Sequence, residues 1–196
     1  LETAVHESIE SALREVDRLQ RTLAILLQIA LAESGAPLAA PAEVDVGELA
    51  DELAELFEPV AKAQGVALSW TRTGNTVVRG NRQLLAQLIT NLIENALKYA
   101  SKAGAAVGAT SAVSVTRQVD SVRLVVSDNG PGIPEEDRAR AVQPFARLGG
   151  ASDTHTSGLG LSLVAAIARL HRARLSLESN EPGLRVVLDL PLGLGS

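Results

Sequence analysis

Two amides one helical turn apart, Asn91 and Asn95, stand in the run Asn91, Leu92, Ile93, Glu94, Asn95, Ala96, Leu97, Lys98, Tyr99. At a spacing of four, both side chains project from one helix face, with Lys98 and Tyr99 one turn further on. A pair of neutral oxygen donors beside an ammonium suits a magnesium-bound phosphate chain. Taken alone, the pattern also fits a solvated face opposite Leu88, Leu92 and Ile93. Further along, Val125, Val126 and Ser127 lead into Asp128, Asn129, Gly130, Pro131, Gly132 and Ile133. Here a strand ends in an acid and then a double-glycine turn. Glycine permits close backbone approach to a ligand, and a buried carboxylate can accept from an exocyclic amine such as adenine N6. In isolation this is equally an ordinary turn. The run Pro144, Phe145, Ala146, Arg147, Leu148 sets an apolar anchor beside a guanidinium able to hold a phosphate bidentately. By itself it reads first as a core Phe and a solvated Arg. Finally, Thr156, Ser157, Gly158, Leu159, Gly160 and Leu161 place glycines at the start of a helix, where unpaired N–H groups and the helix dipole favour an anion. No Walker pattern occurs anywhere in the chain. A lone Gly-x-Gly is weak, but these features in this order and at these separations are a strong joint signal.

Elements must position these residues. Residues 1–33 lack Gly and Pro, and Ile9, Leu13, Val16, Leu19, Leu23, Leu26 and Ala30 recur at spacings of three and four. This predicts one long amphipathic helix that needs a partner helix to cover its stripe. Gly35 and Pro37 end it. Residues 36–44 read as a Pro/Ala linker, and Asp45 as the N-cap of a helix running to about residue 64, closed by Gly65. Strands are expected at 66–70 and 76–79 around a turn at Gly74 and Asn75. A strong helix at 81–100 and a small-residue loop at 101–111 follow. The next strands, 113–118 and 121–127, flank Val119 and Asp120. After them come a loop with a short helix to about 148, a polar loop at 149–157, a helix at 158–172, and strands at 175–178 and 184–190. Helices and hairpins without regular βαβ alternation predict an α+β fold: a two-layer α/β sandwich with one mixed sheet and helices on one face, preceded by a long helix.

Composition narrows the classes. The 196 residues include no Cys, which excludes a disulfide framework or a thiolate zinc site. Only three His are present, far apart in the sequence. The net charge of -5, with no Lys/Arg cluster, disfavours nucleic acid as a partner. The apolar run at 23–32 is interrupted by Gln28 and is too short to span a bilayer. These features set a reducing, cytoplasmic location as the expectation. The chain contains no Met and starts at Leu1, so we expect the natural protein to continue upstream. Phe57, Trp70, Tyr99 and Phe145 are the only aromatics, leaving the core to Leu, Val, Ile and Ala.

With the motifs in order, residues 45–196 resemble the ATP-binding catalytic domain of bacterial sensor histidine kinases, within the GHKL ATPase superfamily. Asn91 to Tyr99 resembles the N box, Asp128 to Ile133 the first glycine box, Phe145 the F box, and Gly158 to Leu161 the second glycine box. Residues 1–35, with Asp17, Arg18 and Leu19, resemble the second helix of the dimerisation and histidine-phosphotransfer hairpin. The resemblance implies ATP and Mg²⁺ as cofactors, with Asn95 as the metal ligand. Asn91 and Lys98 would contact the phosphate chain, and Tyr99 would pack beside the nucleotide. Asp128 would bind adenine N6, while Gly130, Gly132 and Ile133 would shape its pocket. Arg147 would be the lid or phosphate arginine. Ser157, Gly158, Leu159, Gly160 and Leu161 would lie under the phosphates. Asn91, Lys98 and Arg147 form the implied catalytic set. A response regulator is the implied partner, with a homodimer in the full-length protein. The implied location is cytoplasmic, or the cytoplasmic part of an inner-membrane sensor whose anchor would lie upstream.

Hydrolysing relatives carry a glutamate at the position of Asn91, and an amide has no basic pKa near neutrality with which to activate water. Glu94 lies about 300° around the helix from Asn91. The γ-phosphoryl group is therefore kept from hydrolysis and delivered to another nucleophile by positioning and charge neutralisation. The acceptor box, His-Glu/Asp-x-x-x-Pro, is absent: His6 and Glu7 lack the matching proline, and His155 and His171 read as incidental. The phospho-acceptor is expected on a hairpin helix outside this chain. Two alternatives stay open, a nucleotide-binding pseudokinase and a serine kinase of the anti-sigma-factor type.

Overall fold

The computed structural model describes residues 26, 27, 30, 41–101, 108–144, 146 and 159–193. Of the predicted first helix only Leu26, Leu27 and Ala30 fall among them, all helical; the remainder, and its proposed hairpin role, lie outside the described residues. The described chain runs β1 (Ala42–Asp45), α1 (Val46–Ala63), β2 (Val66–Thr73), β3 (Val77–Gly80), α2 (Arg82–Ala100), β4 (Ala109–Arg117), β5 (Ser121–Asp128), α3 (Glu135–Ala141), α4 (Gly160–Leu170), β6 (Arg174–Ser179) and β7 (Leu184–Pro191).

The main sheet has the order β2-β4-β5-β7-β6, with β2 parallel to β4 and the other pairs antiparallel. Period-two alternation divides its faces. Val113, Val115, Val122, Leu124, Val126, Val186, Leu188 and Leu190 are buried and form one apolar face under α1, α2 and α4. Between them, Ser114, Thr116, Arg123, Ser127 and Asp189 point the other way. There Arg123 makes two hydrogen bonds to the cross-strand Asp189, at 2.7 and 3.0 Å. This is the predicted two-layer α+β arrangement: a mixed sheet with helices on one face.

Asp45 caps α1 as expected, accepting from Gly47 N at 3.0 Å and Glu48 N at 3.1 Å. Gly65, at φ +70, follows the last turn. Three expectations need correction. Residues 36–44 are not wholly linker: 42–45 are β1, paired with β3, and Val44 is buried opposite Val78. Residues 101–111 are not wholly loop, because β4 begins at Ala109. And β2 and β3 do not form a hairpin. Thr76, fully buried, accepts from Val46 N through its carbonyl at 3.1 Å and donates from its hydroxyl to Asp45 at 2.5 Å. That pins the chain to the start of α1, so β3 leaves the sheet and takes β1 as partner.

His171, expected to be incidental, is 1% exposed at the end of α4. Its Nδ1 lies 2.8 Å from Ile167 O, and its Nε2 accepts from Asn81 N at 3.1 Å. The proton therefore sits on Nδ1, and the neutral ring ties α4 to the start of α2. A Cβ at Gly80 would lie 2.9 Å from the ring, so the ring is seated where only glycine leaves space. Burial lowers the His171 pKa, opposed by the bond to Ile167. Protonation favours the unfolded chain, so this stabilisation is complete above the ordinary histidine pKa and is lost as pH falls through the lowered folded value. His171→Ala is expected to cost about 3 kcal/mol in urea unfolding at pH 8, from a cavity and the loss of both ring hydrogen bonds. The deficit relative to wild type should narrow as the pH is lowered.

Candidate functional site

The helix that carries the paired amides is well determined. Asn81 caps α2, accepting from Leu84 N at 3.1 Å. Leu85, Leu88, Ile89, Leu92, Ile93, Ala96 and Leu97 bury one broad face against the sheet and α4. With that face committed, Asn91, Asn95, Lys98 and Tyr99 are left half-buried at its margin, while Glu94 is exposed. Asn91 Nδ2 donates to Gln87 O at 2.8 Å, which orients its amide along the helix. Lys98 Nζ lies 5.5 Å from the centre of the Tyr99 ring.

The start of α4 comes against these amides. Leu159 is buried, and its carbonyl accepts from Leu163 N and Ser162 Oγ, both at 2.9 Å. A Cβ at Gly160 would lie 3.1 Å from Asn95 Nδ2, 3.5 Å from Asn95 Oδ1 and 3.7 Å from Asn91 Oδ1. Among the described residues no side chain caps this helix, so its first N–H groups and its dipole are available to an anion. Amide oxygens and a helix N-terminus thus share one small space that a side chain at Gly160 would fill. Among the described residues no group of three or more His, Cys, Asp or Glu could hold a metal. A hard divalent cation would therefore take one amide oxygen and complete its shell with phosphate oxygens and water. The donor set fits that role.

The second half of the site forms at the end of β5. Asp128 is 5% exposed and accepts from Gly130 N at 2.8 Å. Burial pushes its carboxyl above the ordinary aspartate range, against the hydrogen bonds from the Gly130 and Leu184 N–H groups. A Cβ at Gly130 would fall 2.5 Å from Tyr99 O, so the glycine box is pressed onto the last turn of the amide-bearing helix. Gly132 has φ +71, which a residue with a side chain adopts only under strain. Ile133 is half-buried, and its carbonyl accepts from Arg138 Nε at 3.2 Å.

The structure therefore brings Asn91 and Asn95 against Gly160, and Gly130, hydrogen-bonded to Asp128, against Tyr99. Phe145, Arg147, Ser157 and Gly158 lie outside the described residues. The sequence does not mark Asn129 as part of the site. Its side chain accepts from Thr110 N at 2.8 Å and donates to Gly108 O at 2.6 Å, clasping the start of β4 to the glycine box. The only local sign was an Asn in a turn-rich run, which by itself predicts no such partner. Among the described residues no helix is long and apolar enough to cross a membrane.

Residues 80–194 match the family model described as histidine kinase-, DNA gyrase B-, and HSP90-like ATPase. The sensor-type histidine kinase PrrB of Mycobacterium tuberculosis is 44% identical over 91 residues, 45% of this chain and 19% of PrrB. The sensor protein IrlS of Burkholderia pseudomallei is 30% identical over 185 residues, 93% of this chain and 38% of IrlS. The chain thus spans well under half the length of these relatives. Full-length ShkA, solved in complex with AMPPNP, superposes with a TM-score of 0.77 at 25% identity, covering 94% of this chain and 38% of that one.

Proposed function

This chain belongs to the histidine kinase-, DNA gyrase B- and HSP90-like ATPases, and we propose that within that family it is the ATP-binding catalytic region of a sensor histidine kinase. The observation that carries the proposal is the approach of the Asn91 and Asn95 amides to Gly160 at the start of α4. Asn95 Oδ1 would hold Mg²⁺, Asn91 and Lys98 would bind the phosphate chain, and Asp128 would accept from adenine N6. Tyr99, Gly130, Gly132 and Ile133 would line the base pocket. Leu159, Gly160 and Leu161 would lie under the phosphates with Ser157 and Gly158, and Arg147 would supply a further cation. Bound Mg²⁺ would neutralise charge on the phosphate oxygens. Asn91, being an amide, abstracts no proton from water, so the γ-phosphoryl group is preserved for an acceptor histidine. ShkA, seen with AMPPNP, supports the nucleotide, and the relatives named as sensor kinases support the acceptor class.

In the whole protein this region would act in the cytoplasm, where ATP is available. It would dimerise through residues 1–33, whose sequence predicts a helix, together with a partner helix outside this chain, and pass the phosphoryl group to a response regulator. Mixing the chain with ATP and a separate acceptor hairpin should label that hairpin with an acid-labile, base-stable phosphoramidate. ATP binding without labelling would favour a pseudokinase. An acid-stable, base-labile product would favour a serine kinase.

A further inference from the structure

Asp128 is held from two directions. Its own loop supplies the Gly130 N–H. The other hold comes from the turn between β6 and β7, more than 50 residues away in sequence. Asn180 Nδ2 donates to the main-chain carbonyl of Asp128 at 2.9 Å. The turn is itself pinned: Asn180 N donates to Gly183 O at 3.1 Å, and Arg185 Nη2 donates to Asn180 Oδ1 at 3.2 Å. Packing there is as tight as backbone allows. A Cβ at Gly183 would lie 1.8 Å from Asp128 O, and one at Gly132 would lie 2.7 Å from Gly183 O. Gly183 also has φ +115, open only to glycine.

We propose that the turn formed by residues 180–183 is the back wall of the base pocket, and that Asn180 is a positioning residue that sets selectivity for a purine bearing an exocyclic amine. This rests on the reading of Asp128 as the adenine contact. Asn180 would act through Asp128 and not on the base itself. Its amide fixes the peptide plane from which the Asp128 side chain springs, and so the direction in which the carboxylate offers its oxygens. The phosphate end of the site, at Asn95 and Gly160, has no hydrogen bond to this turn among the described residues. Loss of the Asn180 bond should therefore weaken recognition of the amine and leave recognition of the phosphate chain intact.

Calorimetric titration of the whole chain with ATP and with purine riboside triphosphate, which lacks the 6-amino group, tests this. Wild type should prefer ATP. Asn180→Ala should lose roughly five- to tenfold in ATP affinity, about the effect of one hydrogen bond, with purine riboside triphosphate unchanged. Equal weakening of both nucleotides, or of neither, overturns the proposal. If Asn180→Ala does not fold, the near-isosteric Asn180→Asp, which sets an acceptor against the Asp128 carbonyl, should give the same selective loss. Wild type binding ATP and its deamino analogue equally would overturn the role of Asp128 and this inference together. Wild type binding neither would overturn the ATP-site reading itself.

Discussion

Asn95→Ala is expected to abolish binding of ATP in the presence of magnesium, with a loss of affinity of about 100-fold or more. The size follows from what the amide would do. A divalent cation in this site would have no carboxylate cluster to hold it among the described residues, so it would depend on the amide oxygen proposed as its ligand, that of Asn95. Loss of a protein ligand to a divalent cation would cost about 3 kcal/mol or more, on the scale of an unpaired buried charge interaction. The fold should not suffer. Asn95 is half-buried on the margin of α2, and alanine is the better helix former. The melting temperature should hold or rise while magnesium-dependent affinity disappears, and titration with and without EDTA separates the two. Undiminished affinity with magnesium present would sink the assignment.

The parts of the fold legible in sequence are those where local pattern and tertiary environment agree. The apolar positions of α2 recur at three and four residues, and the buried ones are the ones that spacing selects. The β4–β5 pair follows from alternation around Val119 and Asp120, closed by the Gln118 N to Ser121 O bond at 2.8 Å. Where the reading failed, a long-range partner outweighed a local signal. Gly74 and Asn75 do make a turn, but Thr76 is claimed by Asp45, 31 residues earlier, and β2 pairs in parallel with β4. Parallel pairing leaves no turn signature, because its connection is an entire helix.

The site divides in the same way. Asn91, Asn95, Asp128 and the glycines were visible because their spacing on a helix or turn already restricts their chemistry. Asn129, His171 and Asn180 were not, because each acts through a contact distant in sequence. The Asn81–His171 bond spans 90 positions and the Asn180–Asp128 bond 52. A histidine after a helix and an asparagine in a turn have many ordinary uses, and only the packed structure selects one.

Asp128→Asn should separate binding from stability, and with opposite signs. In the folded chain burial raises the Asp128 pKa, against the hydrogen bonds from Gly130 and Leu184. A raised folded pKa means that the stability the group contributes is complete below the ordinary aspartate value and is lost as pH rises through the shifted one. Ionising this buried carboxylate in the nucleotide-free protein therefore costs stability, a cost that a hydrogen-bond donor from a ligand would offset. Asparagine removes that charge. The stability of Asp128→Asn relative to wild type, from thermal melts without nucleotide, should increase between about pH 4 and pH 7. ATP affinity should fall about 100-fold over the same preparation, as expected when a charged acceptor is lost from a buried hydrogen bond. The amide has only one acceptor oxygen. If that oxygen stays with the Gly130 N–H, as Oδ1 does in wild type, the amide nitrogen faces the exocyclic amine, donor against donor. A variant that binds ATP normally would remove Asp128 from the base pocket. One that binds poorly but shows the wild-type pH dependence would mean that another group, not this carboxylate, carries the buried charge.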